Sequence, residues 1–229
     1  LFDAIDHACW QMGVSIKTKW IDAEKVESEG VEVIGKPDGL IVPIGWGERG
    51  SEGMITSASY ARKNKIPYLG LCYGMQLSVI AFARDILGWE DADTTENNKN
   101  TKHPVIHLMP KQKIFMKRRA YGGTMRLGSW DARVKKGTRT FEIYQKELTA
   151  ERHRHRYEFN NEYTENFEKA GMIISARSLV ENLAEIIELP KEKHPFYLGT
   201  QGHPEYKSRP LKPHPIFLAF IKAASKSKA

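Results

Sequence analysis

Cysteine is scarce in this sequence. Cys9 and Cys72 are the two it has in 229 residues. Two thiols build no disulfide framework, so the chain must be held by a buried core, and reduced thiols point to the cytosol. Long apolar runs are also missing. A run such as Val79-Ile80-Ala81-Phe82-Ala83 is far short of the roughly 20 residues that span a bilayer, so no membrane is expected. No basic stretch followed by an apolar one opens the sequence, so no secretory signal is expected. There is no Gly-x-x-x-x-Gly-Lys-Ser/Thr loop to cradle nucleotide phosphates. The charge excess is modest, 35 Lys and Arg against 28 Asp and Glu. It permits small anionic ligands. The aromatics do not interleave with the basic residues, so no nucleic acid is expected.

What is present is the rhythm of an α/β sheet. Phe2, Ile5, Cys9 and Met12 recur at helical spacing, with Gly13 as a stop. Val14, Ile16 and Thr18 alternate with polar residues and predict a strand. Leu40–Ile44 and Ile66–Leu71 read as buried parallel strands. A glycine-punctuated loop and a helix over Met54–Lys65 separate them, and a strong helix over Gly74–Leu87 follows, ending at Gly88. Residues 91–140 are polar and weakly periodic, and read as an excursion of loops and short strands within one domain spanning residues 1–229. Met172–Ala176 and Ala184–Leu189 read as a hairpin and Phe196–Gln201 as the last strand. Pro215 suits the first position of a terminal helix. The expected fold is an open, mostly parallel central sheet flanked by helices.

Gly70-Leu71-Cys72-Tyr73-Gly74 is the sharpest local feature. It places a cysteine on a tight turn between an apolar strand and a helix, the nucleophile-elbow pattern. The helix N-terminus aims free N–H groups at the sulfur, which favours thiolate and sets the Tyr73 N–H where an oxyanion would form. A buried packing thiol fits the same pentad. Gln201-Gly202-His203-Pro204-Glu205 follows the last strand. There His203 can serve as base and Glu205 can orient it, at the strand ends where open α/β sheets place their sites. In Arg152-His153-Arg154-His155-Arg156, a strand would put both histidines on one face and the arginines on the other. The guanidinium groups repel a cation and no third ligand is evident, so no metal is expected. Lys111, Lys113, Lys117, Arg118 and Arg119 form a basic patch, either a solvated face or a docking surface.

Together these motifs resemble the class I, triad-type glutamine amidotransferases. The stretches Gly45-Trp46-Gly47-Glu48-Arg49-Gly50, Gly122–Gly128, Glu151–Glu158 with Asn160-Asn161, and His203–Pro210 narrow the resemblance to the glutaminase domains of CTP synthases. The resemblance covers essentially the whole chain. It implies the flavodoxin-like fold of that class, with a first strand ahead of Leu1 that is missing from this sequence. It implies that Cys72 attacks the amide of L-glutamine, with His203 and Glu205 completing the triad and backbone N–H groups of Gly45 and Tyr73 holding the oxyanion. Gly45, Tyr73, Gly74, Met75, Gln76, Glu96 and Arg156 would bind the substrate, Glu96 by pairing with its ammonium. On its own, Glu96 reads equally as a solvated loop acid. No cofactor is implied for this domain. For a whole cytoplasmic enzyme of pyrimidine biosynthesis, a ligase, the resemblance implies ATP and Mg, an N-terminal synthase domain that takes the ammonia, GTP as effector and a homo-oligomer. Where the family usually has glycine, this chain has Ile44, next to the expected oxyanion hole. Two other readings stand beside this one: a cysteine peptidase or γ-glutamyl hydrolase on the same fold, and a regulatory domain with an impaired hole.

Overall fold

The structure, a computed structural model, describes residues 1–109 and 125–226. The basic patch at 111–119 and Gly122-Gly123-Thr124 lie outside the described residues. Seven strands form the main sheet in the order β1-β2-β10-β9-β8-β5-β6. These are β1 (Leu40–Val42), β2 (Tyr68–Leu71), β5 (Arg126–Val134), β6 (Leu148–His155), β8 (Ile173–Ser178), β9 (Ala184–Glu188) and β10 (Tyr197–Thr200). A small sheet, β3-β4-β7, is made of β3 (Asp93–Thr94), β4 (Pro104–Leu108) and β7 (Tyr157–Phe159).

The strand faces alternate between two cores, as the pleat requires. Tyr68 and Tyr197 pack with Ile55 and Ala58 of α3 (Ser51–Lys63) and with α4 (Tyr73–Phe82). Leu69, Leu71 and Leu198 face the other way, onto Ile5 and Ala8 of α1 (Phe2–Met12) and Phe217 and Phe220 of a terminal helix over Pro215–Lys226. The sheet is thus sandwiched between helices. α4 is buried over its whole length, which accounts for its lack of a polar face. It runs into a wide π-type turn at Ala83–Leu87 and stops at Gly88, φ 71°.

Three expectations are corrected. The sheet is mixed rather than mostly parallel: β1-β2 and β2-β10 pair parallel, and the four remaining pairings are antiparallel. Residues 14–18 form no strand. β1 pairs with β2 alone among the described residues, so an edge is open, but Ile16 stays exposed and alternation with no face to bury does not make a strand. The excursion over 91–140 is not only loops and short strands, because β5, nine residues long, lies in the main sheet. Its inward positions begin with Arg126, Gly128 and Trp130 before reaching Ala132 and Val134, so its period of two is not a hydrophobic one.

Candidate functional site

The elbow is built by close backbone approach. A Cβ on Gly74 would meet Val42 O at 2.1 Å, and one on Gly70 would meet the Gly74 carbonyl carbon at 2.7 Å. Only glycine at both positions lets the helix start so near the strand. Cys72 between them is at φ 51°, a left-handed conformation costly for a side-chain-bearing residue. Its N–H donates to Thr200 O at 2.7 Å, tying the elbow to the end of β10.

The sulfur is buried. It accepts from Gln201 Nε2 at 3.4 Å and lies 4.0 Å from Arg154 O. Burial pushes the Cys72 thiol up to about 12, against the pull of the Gln201 hydrogen bond and the Tyr73 N–H, and the charges of Glu205 and Glu96 push the same way as burial. This corrects the expectation of a resting thiolate: desolvation outweighs the helix N-terminus. The thiol is therefore protonated at neutral pH and needs a base to leave with its proton.

His203 is the candidate base. His203 is fully buried, with Nδ1 2.6 Å from Glu205 Oε1. With the carboxylate accepting from Nδ1–H, the lone pair is on Nε2, which has no hydrogen-bond partner among the described residues. The imidazole stacks on Tyr206, 5.1 Å between centroids. The His203 N–H donates to Arg152 O at 2.8 Å, so β6 carbonyls adjoin both His203 and Cys72.

The remaining candidates come from the small sheet. Glu96 sits on the turn after β3, its N–H on Thr94 Oγ1 at 3.2 Å. Arg156 sits between β6 and β7. Burial raises the Glu96 pKa, while the Gly47 N–H and the Arg156 charge oppose it. Glu96 is thus a half-buried acid facing Arg156, not the solvated loop acid it resembled. Tyr73 Oη donates to Gly47 O at 2.5 Å and accepts from Asn97 Nδ2 at 3.3 Å. A Cβ on Gly45 would strike the Tyr73 ring at 2.8 Å, so the ring dictates glycine there. Ile44 is not among the residues with positive φ. Gln76 is buried and donates to Tyr157 O at 2.8 Å and to Gln201 Oε1 at 3.1 Å, which commits its amide N–H groups to holding the site. The Met75 side chain is buried against Gly199, which leaves only its backbone for a substrate.

Gln201 escaped the sequence reading as a site residue. It bridges Gln76 to the Cys72 sulfur, and its one sequence signal was its place two residues before His203. The expected face pattern of the His/Arg run holds: Glu151, His153 and His155 point inward, Arg152 and Arg154 outward. A cavity of about 390 Å3 lined by Arg62, Lys65, Phe82 and Lys193 includes none of these site residues.

A buried cysteine at an elbow, a carboxylate-held imidazole and a half-buried acid within the field of an arginine are the parts of a hydrolase site of the cysteine type. The chain belongs to the class-I glutamine amidotransferase family, whose model matches residues 1–223. It is 51% identical over 222 residues to a CTP synthase of Caldanaerobacter subterraneus, covering 96% of this chain and 40% of that protein. It is 47% identical over 227 residues to the CTP synthase of Pyrococcus abyssi, covering 99% and 41%. The chain thus spans about two fifths of the length of these relatives. A solved structure of the Trypanosoma brucei CTP synthase glutaminase domain with bound acivicin superposes with a TM-score of 0.89 at 35% identity, over 98% of this chain and 86% of that one. Within the family, then, this is a glutaminase domain of the CTP synthase kind. A putative GMP synthase subunit of Thermoplasma acidophilum, at TM-score 0.59 and 16% identity, shares the fold.

Proposed function

We propose that glutamine hydrolysis runs on Cys72, His203 and Glu205. As the Cys72 sulfur bonds to the side-chain amide carbon of glutamine, its proton passes to His203 Nε2. The oxyanion is held by the backbone N–H groups of Gly45 and Tyr73. When the intermediate collapses, the carbon–nitrogen bond breaks and the imidazolium returns its proton to the departing nitrogen as ammonia leaves. Water then cleaves the γ-glutamyl thioester, with His203 taking the water proton and returning one to the thiolate, which frees glutamate. Glu205 keeps Nδ1 protonated and stabilises the imidazolium. Glu96 pairs with the substrate ammonium and Arg156 with its carboxylate, with Gly74, Met75 and Gln76 shaping the pocket.

One observation carries this reading: the Cys72 N–H donates to Thr200 O at the end of β10, and the segment leaving β10 carries His203 with Nδ1 2.6 Å from Glu205 Oε1. The test is turnover of free glutamine. His203→Ala is expected to lower kcat by about 10⁴-fold and Glu205→Gln by less, since orientation is only part of the work. An unchanged rate in the His203 variant overturns the assignment.

Because the chain spans about 40% of its relatives' length, we further propose that it works in a longer cytoplasmic protein. There a synthase domain with ATP and Mg would use the ammonia to convert UTP to CTP. GTP would act as effector, and the whole enzyme would be a homo-oligomer. Among the described residues no helix is long and apolar enough to cross a membrane.

A further inference from the structure

The main sheet poses a geometric problem. β9, β8 and β5 stand between β10 and β6, yet the segment leaving β10 bonds to β6 through His203 N–H and Arg152 O. The sheet must curl until its far strand returns beside the catalytic loop. The inside of such a curl normally holds apolar side chains. Here it holds charge. Arg126 of β5 meets Glu185 of β9 at 2.6 Å, with both side chains about 95% buried. His153 Nε2 of β6 lies 3.4 Å from the other Glu185 oxygen. Arg126 Nη1 also lies 3.4 Å from His153 Nδ1 and from His155 Nε2, and its guanidinium stacks over Trp130 at 4.9 Å. The interior left over is a cavity of about 10 Å3, lined in part by Glu151, His153, Glu185 and Gly202. The cluster thus fills the curl.

We infer that Glu185, through Arg126 and His153, is a positioning residue that fixes the returning strand β6 against the catalytic loop and so sets the relation between Cys72 and His203. Glu185 is well placed for this. Its main-chain carbonyl accepts the Gln201 N–H at 2.8 Å, and its side chain reaches the strand whose carbonyls meet His203 and approach Cys72. The loop bearing the base is therefore held from both sides by one residue's backbone and side chain. The glutamine-binding ends are anchored elsewhere. Arg156 O accepts the Met109 N–H at 3.1 Å, and β7 pairs with β4. Loosening the curl therefore disturbs the chemical step more than substrate binding. A buried ion pair is not required for folding as such, because well-packed apolar pairs commonly replace one without loss of stability.

The inference rests on the proposed triad, and labelling of Cys72 by acivicin keeps the two apart. The maximal labelling rate and the half-saturating concentration are measured by mass spectrometry, alongside melting temperature, for the parent chain, Glu185→Gln and the double variant Glu185→Leu/Arg126→Met. Glu185→Gln is expected to lower the maximal rate by about 10–100-fold, the scale of an ångström-sized misplacement, with half-saturation moved less than about threefold. The double variant is expected to regain the parent's melting temperature but not its labelling rate. A double variant that recovers both makes the pair merely structural and overturns the inference, as does an unchanged rate in Glu185→Gln. Should Glu185→Gln fail to fold, the double variant alone decides. A parent chain not labelled at Cys72 overturns the triad itself.

Discussion

Cys72 combines a strained left-handed backbone with a buried thiol whose ionised form is disfavoured. The second has a measurable consequence. Burial raises the thiol from the ordinary 9.0 to about 12, so between those values the folded chain keeps a proton that the unfolded chain has released. Stability then falls as pH rises through that window. Urea unfolding at pH 8 and pH 10 is expected to show a loss of about 1 kcal/mol that Cys72→Ala removes. A variant that loses as much as the parent contradicts the assignment of the loss to this thiol. Ile44 is the other residue to test. Outside the left-handed region, it leaves the neighbouring Gly45 N–H free to serve. Ile44→Gly is expected to change glutamine turnover by less than about threefold. A rise on the order of 10²–10³, the worth of one oxyanion donor, means that the native hole is impaired.

At the scale of elements, the elbow was legible because its causes are local. The glycines at 70 and 74 are dictated by atoms within five residues of them and by Val42 across one strand. Gly74→Ala is therefore expected to cost about 3 kcal/mol by chemical denaturation. Gly13→Ala, where no atom lies within 4 Å and only the positive φ is strained, is expected to cost about 1 kcal/mol. Equal losses would place the constraint in backbone conformation rather than in close approach. The hairpin β8–β9 and the terminal helix were likewise legible from short-range pattern. Residues 14–18 were not, because their apolar alternation has no core to face: Ile16 stays exposed. β5 was missed because its inward face starts with Arg126 and glycine. Gln201 and the Arg126–Glu185 pair depend on strands distant in sequence, and no local pattern announces them.

Across the whole molecule, two sheets divide the work. The main sheet delivers Cys72 from the end of β2 and His203 from the end of β10. The small sheet presents Glu96 and Arg156 from the ends of β3 and β7. β6 joins them, ending at His155 and passing through Arg156 into β7. The α/β class was readable from the order of apolar runs and glycine turns. The mixed polarity of the sheet was not, because hairpin strands buried on both faces resemble parallel ones in composition. The central claim is that Cys72 carries the glutamyl group in the course of hydrolysis. Acid quenching of the chain during turnover of glutamine, followed by peptide mapping, tests it most directly. The expected result is a γ-glutamyl adduct on the peptide holding Cys72, with neither adduct nor glutamate release in Cys72→Ala. An adduct on Cys9, or undiminished glutamate release by Cys72→Ala, would contradict it.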